Sequence, residues 1–213
     1  MKQLIKVGIF SILLIGLGLL IWTITPKSRV KEANNINPNY ALFSEKLECS
    51  HLQDLLESKF IVDYPKAIRY KESGEIIVIF EKLNFDTGKS VKSKSSGSCT
   101  VSLEVRIEIK GMLLEPVNRS IEPYLNDQTQ MFMFKITPLV TQLEKGIIWI
   151  YVVTPNEKDA RLERIPLLAI PFSIQVESLF KIPPKIIRIF AILLISLILL
   201  LLFLQMDQNK NRK

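Results

Sequence analysis

Histidine and cysteine are nearly absent from this chain of 213 residues. The only histidine is His51, and the only cysteines are Cys49 and Cys99. Metal sites need clustered His, Cys or carboxylate ligands, and Cys49 and His51 have neither the i, i+4 spacing of a helical pair nor a second pair nearby. A serine nucleophile activated by histidine is equally unsupported, since no G-x-S-x-G pattern is present. The sequence therefore predicts no metal, no cofactor and no enzymatic activity.

A phosphate-binding loop is also missing. Gly88-Lys89-Ser90 has the end of the P-loop pattern, but the glycine needed at position 83 is replaced by Leu83. We interpret this stretch as a solvated basic loop. No small-molecule substrate is indicated.

Two long uncharged stretches are the strongest positive feature. Residues 7–24 contain no charge, and neither do residues 189–204, eight of which are leucine. A helix of about 20 apolar residues crosses the hydrocarbon core of a bilayer, which predicts transmembrane helices at 7–24 and 186–205. The first apolar stretch is longer than a signal-peptide core and lacks small residues before a cleavage point. We therefore expect an uncleaved anchor, with a cleaved signal peptide as the alternative.

Basic residues outnumber acidic ones by 28 to 21, and many of them flank the predicted spans. There they can contact anionic head groups, which predicts the lipid bilayer as a partner and not nucleic acid. These interfacial residues are Lys2, Lys6, Lys27, Arg29, Lys31, Lys185, Arg188, Lys210, Arg212 and Lys213. Basic residues are nearly balanced on the two sides, so they do not determine orientation. The export-like N-terminus favours a domain outside the cytoplasm.

Between the spans, the pattern predicts a helix followed by a β domain. Residues 1–6 form a basic N-terminus, 25–39 a polar linker and 206–213 a polar basic tail. Residues 40–59 place leucines near one face of an amphipathic helix, with an irregular first strand as the alternative. From residue 60 to 180 the apolar period changes to two, which is typical of an antiparallel β-sandwich. We expect seven strands, so that segment 25–59 must run the height of the sandwich to bring both domain ends to one membrane face.

The alternation is most regular between Val101 and Ile109. The other face of this strand carries Glu104, Arg106 and Glu108. This arrangement indicates an ordinary exposed sheet face and not an acid–base pair.

Four segments together carry a family resemblance. They are 75–80, the run from Val101 to Gly111, residues 131–138 with their Thr-Pro ending, and Gly146 with the Trp149 strand. Over residues 60–176 the chain resembles the immunoglobulin-like, membrane-anchored domains of prokaryotic proteins of unassigned function. Phe132 and Phe134 stand where such domains often carry tryptophan. The resemblance implies a fold and attachment to a prokaryotic plasma membrane, but no activity.

The predicted fold class is therefore mainly β: an Ig-like antiparallel β-sandwich with one N-terminal helix, flanked by two transmembrane α-helices. We expect a non-enzymatic integral membrane protein whose Ig-like domain binds another protein or acts as a scaffold. The alternative is a structural or assembly subunit that packs through its spans; a membrane enzyme with an unrecognised site is the third possibility. In an exported domain Cys49 and Cys99 could form one disulfide, whereas in a reducing compartment they would be two isolated small residues.

Overall fold

A computed structural model describes residues 2–35, 58–82, 101–124, 129–155 and 162–210. These residues form a helix at each end and ten strands between them. The helices are α1 (Lys2–Ile24) and α2 (Pro184–Lys210). The strands are β1 (Arg29–Asn35), β2 (Ser58–Pro65), β3 (Ala67–Arg69), β4 (Gly74–Lys82), β5 (Ser102–Ile109), β6 (Met112–Glu115), β7 (Arg119–Pro123), β8 (Gln130–Pro138), β9 (Leu143–Pro155) and β10 (Leu162–Glu177).

The strands form two five-stranded sheets. Sheet A has the order β1-β2-β4-β8-β6, and sheet B has the order β3-β10-β9-β5-β7. Neighbouring strands are antiparallel, except that β3 runs parallel to β10. Within these sheets, β2-β4-β8-β6 and β5-β9-β10 reproduce the ABED and CFG sheets of the immunoglobulin fold. The mainly β, two-sheet, Ig-like part of the prediction is therefore confirmed, and β1, β3 and β7 are added at sheet edges.

The core lies between the sheets and follows from the alternation along each strand. In β8, Phe132 and Phe134 are buried, whereas Met131 and Met133 are exposed on the outer side. On the neighbouring strands, Phe60 and Phe80 face each other with ring centroids 4.9 Å apart. Because successive side chains in a strand point to opposite faces, each period-two pattern directs one apolar row inward.

Gly146 lies beneath an aromatic ring. It is opposite Phe172 in the β9–β10 pair, and a Cβ added to Gly146 would lie 2.7 Å from that ring and 2.8 Å from the backbone oxygen of Glu108. We expect Gly146→Ala to lower the free energy of unfolding by about 1–3 kcal/mol, because the added methyl group would overpack the space beneath the Phe172 ring. The control is Gly74→Ala, whose closest contact would be the flexible end of Ile68. Equal losses for both variants in urea unfolding of the detergent-solubilised chain would contradict this reasoning.

Part of the predicted linker is a strand. Arg29–Asn35 form β1, which pairs with β2 from Arg29 opposite Pro65 to Asn35 opposite Lys59. Its residues alternate between half-buried and exposed, and Val30 packs against the core. The prediction of a linker is wrong here because a polar edge strand shows no apolar period. Within segment 25–59, β1 runs along β2 from Pro65 to Lys59.

Two other boundaries differ from the prediction. The amphipathic helix expected at 40–59 lies outside the described residues, except for Ser58 and Lys59, which begin β2. The sandwich therefore extends from Arg29 to Glu177, and ten described strands replace the seven expected. The short strands β3, β6 and β7 contain too few residues to show a period in the sequence.

The two helices leave the same end of the sandwich and pack against each other in antiparallel orientation. Gly16 of α1 approaches Leu194 and Ile195 of α2 so closely that an added Cβ would lie 3.1 Å from Ile195. By length and composition alone, one described helix is long and apolar enough to cross a membrane, over Pro184–Leu204. The apolar part of α1, Gly8–Ile24, is shorter. The structure therefore supports one of the two predicted spans.

The helix boundaries also differ from those expected. The prediction of a separate tail at 206–213 is wrong up to Lys210, because α2 continues that far. Likewise, α1 begins at Lys2 and includes most of the basic N-terminus.

Candidate functional site

A buried arginine binds the end of α1 to the sandwich. Arg69, the last residue of β3, is 4% exposed. Its Nη2 donates hydrogen bonds of 2.5 Å to the backbone oxygens of Trp22 and Thr25, and its Nη1 is 3.1 Å from the carboxylate of Glu72. The guanidinium also lies over the ring of Trp22, 5.2 Å from its centroid. Carbonyl oxygens at a helix C-terminus lack intrahelical donors and carry partial negative charge. The guanidinium of Arg69 both donates hydrogen bonds to these oxygens and balances their negative charge.

Two further contacts strengthen this junction. Lys27, just after α1, forms a salt bridge with Glu177, the last residue of β10. Arg188 of α2 donates a hydrogen bond of 3.0 Å to the backbone oxygen of Thr23. The end of α1 is thus bound to one end of the sandwich and the start of α2 to the end of α1; we call this end of the sandwich the helix-proximal end. It comprises the ends of the strands there and the connections 25–28, 66–73, 139–142 and 178–183.

The outer face of sheet B carries a second cluster, which we call the aromatic face. It consists of Trp149, Tyr151, Arg106, Glu104 and Arg164. The rings of Trp149 and Tyr151 are stacked, with centroids 6.2 Å apart and an interplanar angle of 24°. In the β5–β9 register, Arg106 is opposite Trp149 and Glu104 is opposite Tyr151. Trp, Tyr and Arg are the residue types that carry most of the binding energy at protein interfaces.

Glu104 is buried in this face by an ion pair. Nε of Arg164 is 2.8 Å from Oε2 of Glu104. Tyr151 and Ile121 occupy the positions opposite Glu104 on the two neighbouring strands. The prediction of an ordinary exposed face is therefore wrong at Glu104, because the large neighbours and the arginine exclude water from it.

A depression of about 340 Å³ lies beside Glu104. Its lining contains three arginines (Arg106, Arg119 and Arg164) and one carboxylate, together with Val117 and Asn118. Arg106 is also 3.0 Å from the carboxylate of Glu108. Arg164 and Arg106 are thus paired, which leaves Arg119 as the arginine of this lining without a carboxylate partner among the described residues. A carboxylate from a partner suits it, because arginine binds carboxylates through paired hydrogen bonds.

A larger depression of about 860 Å³ is lined by residues of β1, β2, β5, β9 and β10. In it, the hydroxyl of Tyr64 donates a hydrogen bond of 3.0 Å to Glu32. Burial raises the pKa of Tyr64 to about 12, and the hydrogen bond and charge of Glu32 act in the same direction. Tyr64 is therefore a protonated donor at neutral pH and not a general base. Across the described ranges, no three His, Cys, Asp or Glu side chains come together as a metal site would require.

The predicted interfacial residues separate into distinct places. Lys27, Lys185 and Arg188 lie at the helix-proximal end. Arg29 begins β1 at the same end, where it pairs with Asp63 at 2.7 Å, whereas Lys31 lies farther along this edge strand of sheet A. Lys2, Lys6 and Lys210 are within helices. Arg212 and Lys213 are outside the described residues, as are Cys49 and Cys99, whose pairing stays a prediction.

No protein-family model matches the chain, and no curated protein matches it in sequence. Among solved structures, a CARDB domain from Pyrococcus furiosus in complex with di-metal ions is similar, with 14% identity, 55% of this chain and 84% of that chain covered, and a TM-score of 0.34. A chain in the complex between zinc 2-glycoprotein and prolactin inducible protein from human seminal plasma is 14% identical. The match covers 55% of this chain and 93% of that chain, with a TM-score of 0.35. The class 5 fimbriae chaperone CfaA is 13% identical, and the match covers 55% of this chain and 57% of that chain, with a TM-score of 0.31. At these values we draw no functional argument from the similarity.

Proposed function

We propose that this chain is a non-enzymatic, membrane-anchored Ig-like module that binds another protein through the aromatic face. The observation that carries the proposal is the stacking of Trp149 and Tyr151 on the outside of sheet B rather than in the core. Aromatic side chains displayed beside arginines match the composition of the energetically dominant parts of protein interfaces. The arginine-lined depression next to them provides the specific polar contact, with an acidic side chain of the partner.

The proposed anchor is α2, whose Pro184–Leu204 segment is suited to a bilayer. We also propose that α1 crosses beside it as a second span. Supporting this, α1 packs on α2 at Gly16, and the sides of both helices directed away from each other expose apolar residues such as Phe10 and Leu193. The protein would then be a two-span protein of a prokaryotic plasma membrane, with the sandwich outside the cytoplasm.

A structural or assembly subunit that packs through its helices is the second candidate. Gly8 and Gly18 of α1 favour it, because a Cβ added at either position would meet nothing within 4 Å. Small residues with open space beside them allow another transmembrane helix to approach closely.

Site-specific photo-crosslinking in intact membranes separates the two candidates. A photoreactive residue at Trp149 should give one discrete protein adduct, whereas the same residue at Leu162, exposed at the far end of sheet B, should give none. Adducts obtained from Gly18 but not from position 149 would overturn the binding proposal and favour the assembly role.

Once the adduct identifies the partner, its affinity gives a quantitative test. We expect Trp149→Ala to weaken binding by about 2 kcal/mol, or roughly thirtyfold in Kd. Met131→Ala, on the outer face of sheet A, is the matched control and should leave Kd unchanged. An unchanged thermal midpoint for both variants would show that the loss is one of contact and not of folding.

A further inference from the structure

The helix-proximal end exposes large apolar side chains where the chain enters the helices. Phe180, four residues before α2, is 85% exposed. Phe180 and Lys181 both have positive φ values, 54° and 57°, in a tight turn closed by a hydrogen bond of 3.0 Å from the Ile182 N–H to the Leu179 oxygen. A bulky residue rarely adopts this conformation, and here the turn holds the Phe180 ring away from the fold.

Leu139 and Leu143 are exposed at the same end. The segment that carries them is held by three backbone hydrogen bonds: from the Leu139 N–H to the Gly111 oxygen at 2.8 Å, from the Lys71 N–H to the Pro138 oxygen at 3.3 Å, and from the Val176 N–H to the Gln142 oxygen at 3.2 Å. These bonds attach it to the β5–β6 turn, to the β3–β4 connection and to β10, beside the residues that hold the end of α1 and Lys27. Residues remote in sequence therefore meet on one surface around the helices.

The charges on this surface are unbalanced. In the connections and at the terminal strand residues of this end, the carboxylates are Glu72 and Glu177, which are already paired with Arg69 and Lys27. One residue farther along their strands lie Glu75, which is exposed, and Glu144, which is buried. Four lysines remain without a carboxylate partner among the described residues, and these are Lys66, Lys71, Lys181 and Lys185. The surface thus presents apolar tips surrounded by positive charge, the composition that binds an anionic membrane interface.

We propose that the helix-proximal end of the sandwich rests on an anionic lipid surface, with Phe180, Leu139 and Leu143 in the interfacial layer and the four lysines at the head groups. The inference depends on α2 crossing the bilayer, which is part of the proposed function. Four residues extend no more than about 14 Å, so a bilayer entered at Pro184 lies within reach of Phe180. The contact holds the strands upright and presents the aromatic face sideways, away from the membrane plane.

The test compares two leucines of similar exposure at opposite ends of the sandwich. Leu143 begins β9 at the helix-proximal end and is 48% exposed, whereas Leu162 begins β10 at the far end and is 55% exposed. Leu143→Cys and Leu162→Cys, each in full-length chain with Cys49→Ser and Cys99→Ser, are labelled with a fluorophore. Each protein is reconstituted into vesicles of equal phosphatidylcholine and phosphatidylglycerol that carry head-group spin-label quenchers. We expect quenching at position 143 and none at position 162.

Retention of the chain in the vesicles after alkaline extraction is measured on the same samples. A chain that is retained but shows equal quenching at both positions overturns the lipid contact while leaving the anchor intact. A chain that is extracted overturns the anchor and the contact with it.

Changing the four lysines to glutamine tests the electrostatic part. With the lysines present, quenching at position 143 should be stronger in vesicles containing phosphatidylglycerol than in pure phosphatidylcholine, and this difference should disappear in the glutamine variant. Quenching that is independent of lipid charge in the lysine-containing chain would overturn the proposal that the surface is anionic.

Discussion

Replacing Phe134 by alanine should lower the free energy of unfolding of the sandwich by about 3–5 kcal/mol. Phe134 is 0% exposed in β8, where it lies opposite Ile76 of β4 and faces sheet B. The ladder of β8 with β4 holds the backbone in place, so the two sheets cannot close over the lost ring and a cavity remains. Urea unfolding of the detergent-solubilised chain, followed by circular dichroism, measures the effect.

Its control is the adjacent residue. Met133 is 46% exposed on the outer side of the same strand, so Met133→Ala should change the free energy of unfolding by no more than about 0.5 kcal/mol. A similar loss in both variants would show that the core does not lie on the Phe134 side of sheet A.

Replacing Arg69 by alanine should destabilise the attachment of α1 to the sandwich by about 2–3 kcal/mol. The change removes the donor to the Trp22 and Thr25 oxygens and leaves Glu72 without its cation. In micelles, we expect a lower midpoint of thermal unfolding and faster proteolysis in the 25–28 connection, because the end of α1 is released.

Two other variants define what Arg69→Ala measures. Arg69→Lys keeps the charge but replaces a fork of donors with a single ammonium, so it should fall between the wild-type chain and the alanine variant. Arg29→Ala breaks the ion pair with Asp63, in which Arg29 is exposed, and should cost no more than about 1 kcal/mol. If Arg29→Ala accelerated proteolysis as much as Arg69→Ala, the attachment would not depend on the buried arginine.

Most of the sandwich could be predicted because its strands are half buried. The alternation from Val101 to Ile109 requires one apolar face, and the structure buries Leu103, Val105 and Ile107. β1 could not be predicted in this way. Its inner positions include Glu32 and Asn34, and what makes it a strand is the ladder with β2, whose partner residues come at least 24 positions later, since Lys59 pairs with Asn35.

The candidate site was only partly predictable for a related reason. The sequence predicts the strand β9, but residues 147–153 are all apolar or aromatic. The structure buries Ile148 and Ile150, whereas the sequence does not show which face Trp149 and Tyr151 occupy. It does not show that Arg164 reaches Glu104 or that Arg69 reaches Trp22, because these partners are 60 and 47 residues apart. Burial of a charged group depends on such distant neighbours, whereas local periodicity reports only which face a side chain occupies.

The position of β1 has a mechanical consequence. This strand follows α1 at the helix-proximal end and pairs with β2 along all seven of its residues, while β10 ends at the same end, seven residues before α2. A partner that pulls on sheet B therefore loads both connections along the strand axes. Interstrand hydrogen bonds lie perpendicular to those axes, so the whole ladder resists in shear and does not open one bond at a time. In the proposed arrangement, with a partner on sheet B and α2 in the bilayer, the sandwich would transmit tension from one to the other.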